Sequence, residues 1–223
     1  MITVHHLENS RSQRVLWLLE ELGLDYTVVR YARDPKTLLA PPELRQVHPL
    51  GKSPVIEDGG QVVAESGAII EYLVERYDTE RRLAPSPDTP EHLRYRYWLH
   101  YAEGSLMPPL LVSLIFRRLK SAPMPFFVRP IARGIADKVM STFAGPAVRT
   151  HLDYLDAELS QRAWFAGDDF SAADIQMSFP LEAADARVGF EGRTHLRAFL
   201  EHIHARPAYQ RALTKGGPFD LPG

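Results

Sequence analysis

Ile2-Thr3-Val4-His5-His6-Leu7 is followed by Ser12-Gln13-Arg14-Val15-Leu16-Trp17-Leu18-Leu19-Glu20-Glu21-Leu22-Gly23-Leu24 and then by Tyr26-Thr27-Val28-Val29-Arg30-Tyr31. The first run alternates and is β-rich, a strand pattern. The second sets Val15, Leu16, Leu18, Leu19 and Leu22 at helical spacing and stops at Gly23. The third is again β-rich, so the stretch reads as a βαβ unit. Its parallel strands are joined by a right-handed crossover whose helix covers one sheet face. Further on, Pro54-Val55-Ile56-Glu57 and Gln61-Val62-Val63-Ala64 flank Asp58-Gly59-Gly60, a strong hairpin signal. Ser66 to Tyr77 then closes the unit as a helix with Ile69, Ile70, Leu73 and Tyr77 on one side. A Pro-rich stretch at Pro41-Pro42 and a short helical segment connect the two halves.

Between Asp78 and Glu91, Pro85, Pro87 and Pro90 stand among several charges, a composition that breaks helix and strand and suits a linker. Beyond it the periodicity is helical, in Glu91 to Ser105, Val148 to Gln161, Ala172 to Arg187 and His195 to Ala205. The expectation is therefore α/β plus all-α, with a unit over 1–80 and a helical unit over 90–215. The 223 residues can hold two such units. At 45% hydrophobic and 24% charged residues the chain has an ordinary globular composition, and its net charge of −2 argues against a dedicated nucleic-acid binder. It has no cysteine, so disulfides, thiolate nucleophiles and Cys-based metal sites are excluded. Met1 to Leu7 lacks the basic flank and apolar core of a signal peptide, which leads to the expectation of a cytoplasmic protein. Leu106 to Phe116, the longest nearly uncharged apolar stretch, is too short to span a bilayer.

Three junctions carry polar groups suited to chemistry. In Glu8-Asn9-Ser10-Arg11-Ser12-Gln13-Arg14, a strand gives way to a helix whose N-terminus favours an anion; a serine there either caps the helix or offers a hydroxyl donor to a ligand. A serine nucleophile would need a positioned base, and at most one of His5 and His6 can face this loop. In Gly51-Lys52-Ser53-Pro54-Val55, a proline opens a strand; this is an ordinary strand entry or a tight turn that exposes the Val55 backbone to an extended peptide ligand. In Glu65-Ser66-Gly67-Ala68-Ile69, Ser66 is a cap, or it holds a carboxylate while Glu65 takes an ammonium. His202 and His204 lie two apart on a helix and make a poor metal pair, so no metal site is expected. Arg117-Arg118-Leu119-Lys120 is one basic turn, read as a solvated face before a nucleic-acid patch. The Met- and Phe-rich stretch from Leu106 to Phe143, with basic residues in excess between Arg117 and Lys138, reads as core helices, then as an apolar acceptor site, and only third as a membrane-surface segment.

These three segments, together with Trp164-Phe165-Ala166-Gly167-Asp168 and Phe170-Ser171-Ala172-Ala173-Asp174-Ile175, resemble the glutathione transferase family in order and spacing over nearly the whole chain. The serine-type bacterial and fungal members are the most similar in kind. The resemblance implies a thioredoxin-like N-terminal domain that binds glutathione, an all-helical C-terminal domain, and an active site between them. Residue by residue it puts Ser10 on the catalytic hydroxyl, with Asn9 and Ser12 as rivals, and Pro54 on a cis-proline. It puts Val55 on the residue pairing with the cysteinyl backbone, Glu65 and Ser66 on the γ-glutamyl binders, and Lys52 near the glycyl carboxylate. Ser171 to Asp174 falls on the family's helix capping box. The cysteine-type members need a thiolate that this chain lacks. The implied partners are glutathione, a small apolar electrophile and a second copy of the chain.

The wall for that electrophile is expected on the Met-, Leu- and Tyr-rich segment formed by Tyr101, Leu106, Met107, Leu110 and Leu111, facing Leu7 and Ser10. Two other function classes share these residues: a glutathione-fold binding protein with little turnover, and a glutathione-dependent peroxidase or isomerase.

Overall fold

The computed structural model describes residues 1–37 and 39–221. Its first part follows the order β1 (Ile2–Leu7), α1 (Ser12–Leu22), β2 (Tyr26–Tyr31), α2 (Leu44–Val47), β3 (Val55–Asp58), β4 (Gln61–Ala64) and α3 (Ser66–Tyr77). The four strands form one sheet in the order β2-β1-β3-β4. β1 and β2 are parallel with Ile2 opposite Tyr26, and β3 runs antiparallel to both β1 and β4. This is a thioredoxin-like unit. The β3–β4 turn is closed by Gly59 and Gly60, both at positive φ, the conformation that a two-residue hairpin loop requires.

Burial along α1 is not the single stripe of a surface helix. Every residue from Ser12 to Glu20 is buried, because α1 lies between β1 and α3 on one side and the C-terminal helices on the other. Gly23 takes the left-handed conformation that ends it. Arg11 stands at the N-cap with no side-chain cap bond, and it is Ser10 Oγ that accepts from the first N–H of α1, that of Ser12, as the simpler reading of the turn expects. The two serine hydroxyls also bond to each other.

Helices fill the rest of the described chain: α4 (Pro90–Tyr101), α5 (Met107–Ser121), α6 (Arg129–Val139), α7 (Gly145–Leu159), α8 (Ala172–Val188), α9 (Thr194–His204) and α10 (Pro207–Gly216). A π-helical turn, Ala102–Leu106, joins α4 to α5, and a second, Met140–Ala144, joins α6 to α7. Thr89 caps α4 by accepting from the His92 N–H at 3.3 Å. At the start of α8, the Asp174 carboxylate accepts from the N–H groups of Ser171 and Phe165, both at 2.9 Å. That is the folding role expected of Ser171–Asp174. Among the described residues no helix is long and apolar enough to cross a membrane.

Two polar joints fix α1 to the helical part. On its outer turn, Glu21 takes two hydrogen bonds from Arg206 at 2.6 and 3.0 Å, and Glu20 meets Arg211 and Lys215 of α10. On the site side the joint is Arg14. Its side chain is 1% exposed and donates to the Gln176 carbonyl at 2.6 Å, to the Ser66 hydroxyl at 2.5 Å and to Glu103. Burial lowers this guanidinium to about 10, against the pull of Glu103, so it stays charged at neutral pH. One buried cation thus ties α1, α3, α8 and the π-helical turn together.

Candidate active site

The β1–α1 turn, the Ser53-Pro54 loop and the start of α3 come together because β1 and β3 are neighbours in the sheet. Ser53 Oγ donates to the His5 carbonyl at 2.8 Å and accepts from the Leu7 N–H at 3.2 Å, which stitches the loop to β1. The Ser53–Pro54 bond is cis. A groove of about 330 Å³ opens here, lined by Lys52, Ser53, Pro54, Ala64, Glu65 and Ser66, with His48 and Leu50 beside them and Arg11 and Glu103 across from them.

Lys52, Pro54, Glu65 and Ser66, which come from separate motifs, therefore share one groove. Val55 opens β3 opposite His5 and Ala64, and its side chain turns into the core. Val55 does not line the groove. Glu65 adopts φ 71° and is exposed, while Ser66 begins α3. A non-glycine residue held at positive φ costs on the order of 1–3 kcal/mol and persists where the surroundings impose it. Here it directs a carboxylate to the groove beside a helix N-terminus whose N–H groups favour an anion. The groove thus sets one carboxylate beside a helix N-terminus and the Lys52 cation.

Ser10 is 5% exposed and lines neither this groove nor the cavity beyond it. Its oxygen accepts from the Ser12 N–H at 3.2 Å and lies 2.8 Å from Ser12 Oγ. Ser12 Oγ in turn lies 2.9 Å from His6 Nδ1 and 3.2 Å from the Leu7 carbonyl. Burial, reinforced by Arg30, lowers His6 to about 4, against a backbone hydrogen bond to Gly216 that favours the protonated ring. The ring is neutral at physiological pH. Ser12 Oγ donates to the Leu7 carbonyl, and Ser10, Ser12 and His6 form one buried hydrogen-bonded chain. His5 faces the other way, toward Tyr31 and Glu57, as strand alternation requires.

Beyond the turn lies a cavity of about 700 Å³. Met107, Leu111 and Leu114 of α5 and Phe179 of α8 line it, together with Asn9, Arg11, Arg33, Arg118 and Arg187 and with Asp220 and Leu221 of the C-terminal segment. Of the expected wall, Met107 and Leu111 are present. Leu7, Tyr101, Leu106 and Leu110 are corrected to core positions. Helix geometry explains Leu110: Leu111, Leu114 and Arg118 are three or four apart and share the cavity face of α5, Leu110 and Ser113 face the core, and Met107 lines the cavity while mostly buried. Tyr101 turns to His151, its hydroxyl bonded to Nδ1.

Sequence reading missed Arg11, which lines both the groove and the cavity. Its Nε donates to both Glu103 oxygens at 2.9 and 3.0 Å, and its guanidinium carbon stands 4.8 Å from the centre of the Phe179 ring. Burial works to raise the Glu103 pKa, and the Arg14 and Arg11 guanidiniums outweigh it, holding the carboxyl below its usual range. The position beside Ser10 in the turn was the available signal for Arg11. Glu103, on the π-helical turn, had none.

A thioredoxin-like sheet with a groove at its strand ends, backed by helices with a cavity beside it, is a two-domain transferase architecture. Family models agree: the glutathione S-transferase N-terminal domain matches residues 1–75 and the C-terminal domain residues 124–207. The chain is similar to glutathione S-transferase 1 of Saccharomyces cerevisiae, 40% identical over 194 residues that cover 84% of this chain and 82% of the relative. It is also similar to glutathione S-transferase 3 of Schizosaccharomyces pombe, 36% identical over 216 residues covering 96% and 88%. A solved glutathione S-transferase from Actinobacillus pleuropneumoniae is 35% identical, covers 99% of this chain with 95% of its own, and superposes with a TM-score of 0.83. The chain belongs to the glutathione S-transferase family. It is an enzyme of that kind, and glutathione is its substrate.

Proposed function

We propose that the enzyme joins glutathione, held in the groove, to an electrophile with an apolar body held in the cavity, and that the thiolate forms at the β1–α1 turn. The observation that carries this reading is the shared wall: Arg11 lines both spaces, so a sulfur placed at the turn faces the second substrate. Glu65 would take the glutathione ammonium, Ser66 and the N-terminus of α3 its γ-glutamyl carboxylate, the Val55 backbone its cysteinyl unit, and Lys52 its glycyl carboxylate. Units over 1–80 and 90–215 divide these tasks.

A free thiol near 8.5 is mostly protonated at neutral pH, and only the thiolate attacks. Ser10 acts as a hydrogen-bond donor to the sulfur once its hydroxyl turns from Ser12, and never as a covalent nucleophile. The sulfur then forms a C–S bond while the leaving group departs with its electron pair; the thiol proton goes to solvent. Arg11 offers a second source of stabilisation, favoured by its place on the wall.

The test is steady-state turnover of an aryl halide, an isothiocyanate and an organic hydroperoxide, in the native protein and in Ser10→Ala. Conjugation well above the spontaneous rate, with Ser10→Ala reduced at neutral pH and its glutathione affinity largely kept, supports the proposal. Turnover of the hydroperoxide alone assigns a peroxidase, and no turnover with intact glutathione binding assigns a binding protein. If Ser10→Ala keeps full rate while Asn9→Ala or Ser12→Ala loses it, the hydroxyl has been misplaced.

A further inference from the structure

The cavity wall is not apolar throughout. Four guanidiniums, from Arg11, Arg33, Arg118 and Arg187, line the same space, and among its described lining residues Asp220 is the one carboxylate. They converge from four places in the chain: the β1–α1 turn, the segment after β2, the end of α5 and the end of α8. Arg11 shares Glu103 with Arg14, and the Glu8 and Asn9 carbonyls accept from Arg33 at 3.0 and 3.1 Å and so orient it. The cations feel one another. Burial first, and then Arg11 and Arg118, lower the Arg33 pKa, with Glu8 opposing; burial, Arg118, Arg11 and Arg117 lower that of Arg187. Like charges gathered around a concave, partly apolar space raise the local concentration of anions and repel cations.

We propose that the cavity selects electrophiles that carry an anionic group, a carboxylate or sulfonate on an apolar body. The body lies on Met107, Leu111 and Phe179, and the exposed Arg118 holds the anion. A planar carboxylate fits the fork of an arginine, which donates two parallel hydrogen bonds. This rests on the reading of the cavity as the acceptor site. The step is unchanged: for an aryl chloride the sulfur bonds to the ring carbon, chloride leaves with the bonding pair, and the carboxylate takes no part.

The experiment compares a chlorodinitrobenzoate with its methyl ester in the full-length protein with glutathione. Each kcat/KM is divided by the spontaneous rate of that compound with glutathione, which removes the difference in intrinsic reactivity. The expected ratio favours the acid roughly tenfold or more, the scale of one charge-assisted contact. It should fall about tenfold in Arg118→Gln and further in Arg118→Glu; Arg118 is exposed, so both variants should fold. Raising the salt concentration should lower the ratio in the native protein. If both compounds turn over with a ratio near one, or with a ratio that neither Arg118 variant moves, the anion selectivity is refuted and the transferase reading stands. If neither turns over while glutathione still raises the melting temperature, the acceptor-site reading is refuted and the selectivity with it.

Discussion

Replacing Arg14 by Met tests the joint on which both the fold and the groove depend. Methionine roughly fills the side-chain volume and removes the charge, leaving the Gln176 carbonyl and the Ser66 hydroxyl buried without their donor. Taking one partner from a buried pair costs about 3–5 kcal/mol. Glu103 is 32% exposed and keeps Arg11, so the low end applies, about 3 kcal/mol. For a chain of this size each kcal/mol moves the melting temperature by about 2–4 °C, which gives a fall of roughly 6–12 °C. A second effect should accompany it. Ser66 loses the donor that fixes its hydroxyl, so glutathione should bind more weakly even at temperatures where the variant is fully folded. Calorimetric melting and isothermal titration with glutathione measure the two separately. An Arg14→Met protein that melts with the native one and binds glutathione equally would show that the network carries neither stability nor alignment.

Glutathione at about 100 times its Kd should stabilise the fold by ~2.7 kcal/mol, a rise of several degrees in a melting scan; no rise at millimolar glutathione refutes the groove assignment. His6 is lowered to about 4 by burial and Arg30, so the unfolded chain takes up its proton first as pH falls. Stability due to this group is present above 6.5 and lost between 6.5 and 4, roughly 3 kcal/mol in all. His6→Gln should lack that loss, and equal urea midpoint shifts in both proteins over this window would refute it. Met107→Ala with Leu111→Ala should reorder a series of electrophiles and leave the glutathione Kd nearly unchanged. An unchanged order with weakened glutathione would place the acceptor elsewhere.

The sheet was legible because β1, α1, β2 and the Gly59-Gly60 hairpin announce themselves within short windows. The groove was legible for a related reason, since Lys52, Pro54, Glu65 and Ser66 sit in compact turn motifs at strand and helix ends. The cavity was not. Leu106 to Leu111 is apolar almost without interruption, so sequence alone does not say which face of α5 is inward, and four of the six residues chosen for the wall went to the core. The arginine rim has no local signature at all, because its members are brought together only by tertiary packing. α6 reverses the usual rule: it buries Ala132 and Ala136 and leaves Ile131 and Ile135 exposed. Small residues allow helices to approach closely, and a search for large apolar stripes passes over them.

Magnitudes also bear on how the turn would lower a thiol pKa. A hydrogen bond to a charged group is worth about 1.5–3 kcal/mol and one between neutral groups about 0.5–1.5. In the proposed mechanism Ser10 must exchange its bond with Ser12 for one with sulfur, so its net gain is the difference, about 1 kcal/mol, which is under one pKa unit. From 8.5 that leaves most of the thiol protonated at neutral pH. The remainder has to come from fixed positive charge at the same turn, and Arg11, anchored by Glu103 and lining the groove, is the group placed to supply it. A share of that charge is cancelled by Glu103 and by solvent, so Arg11 also contributes on the scale of one unit rather than several. On this account Ser10→Ala lowers the neutral rate by less than tenfold, and the loss becomes severe only when Arg11 is removed with it.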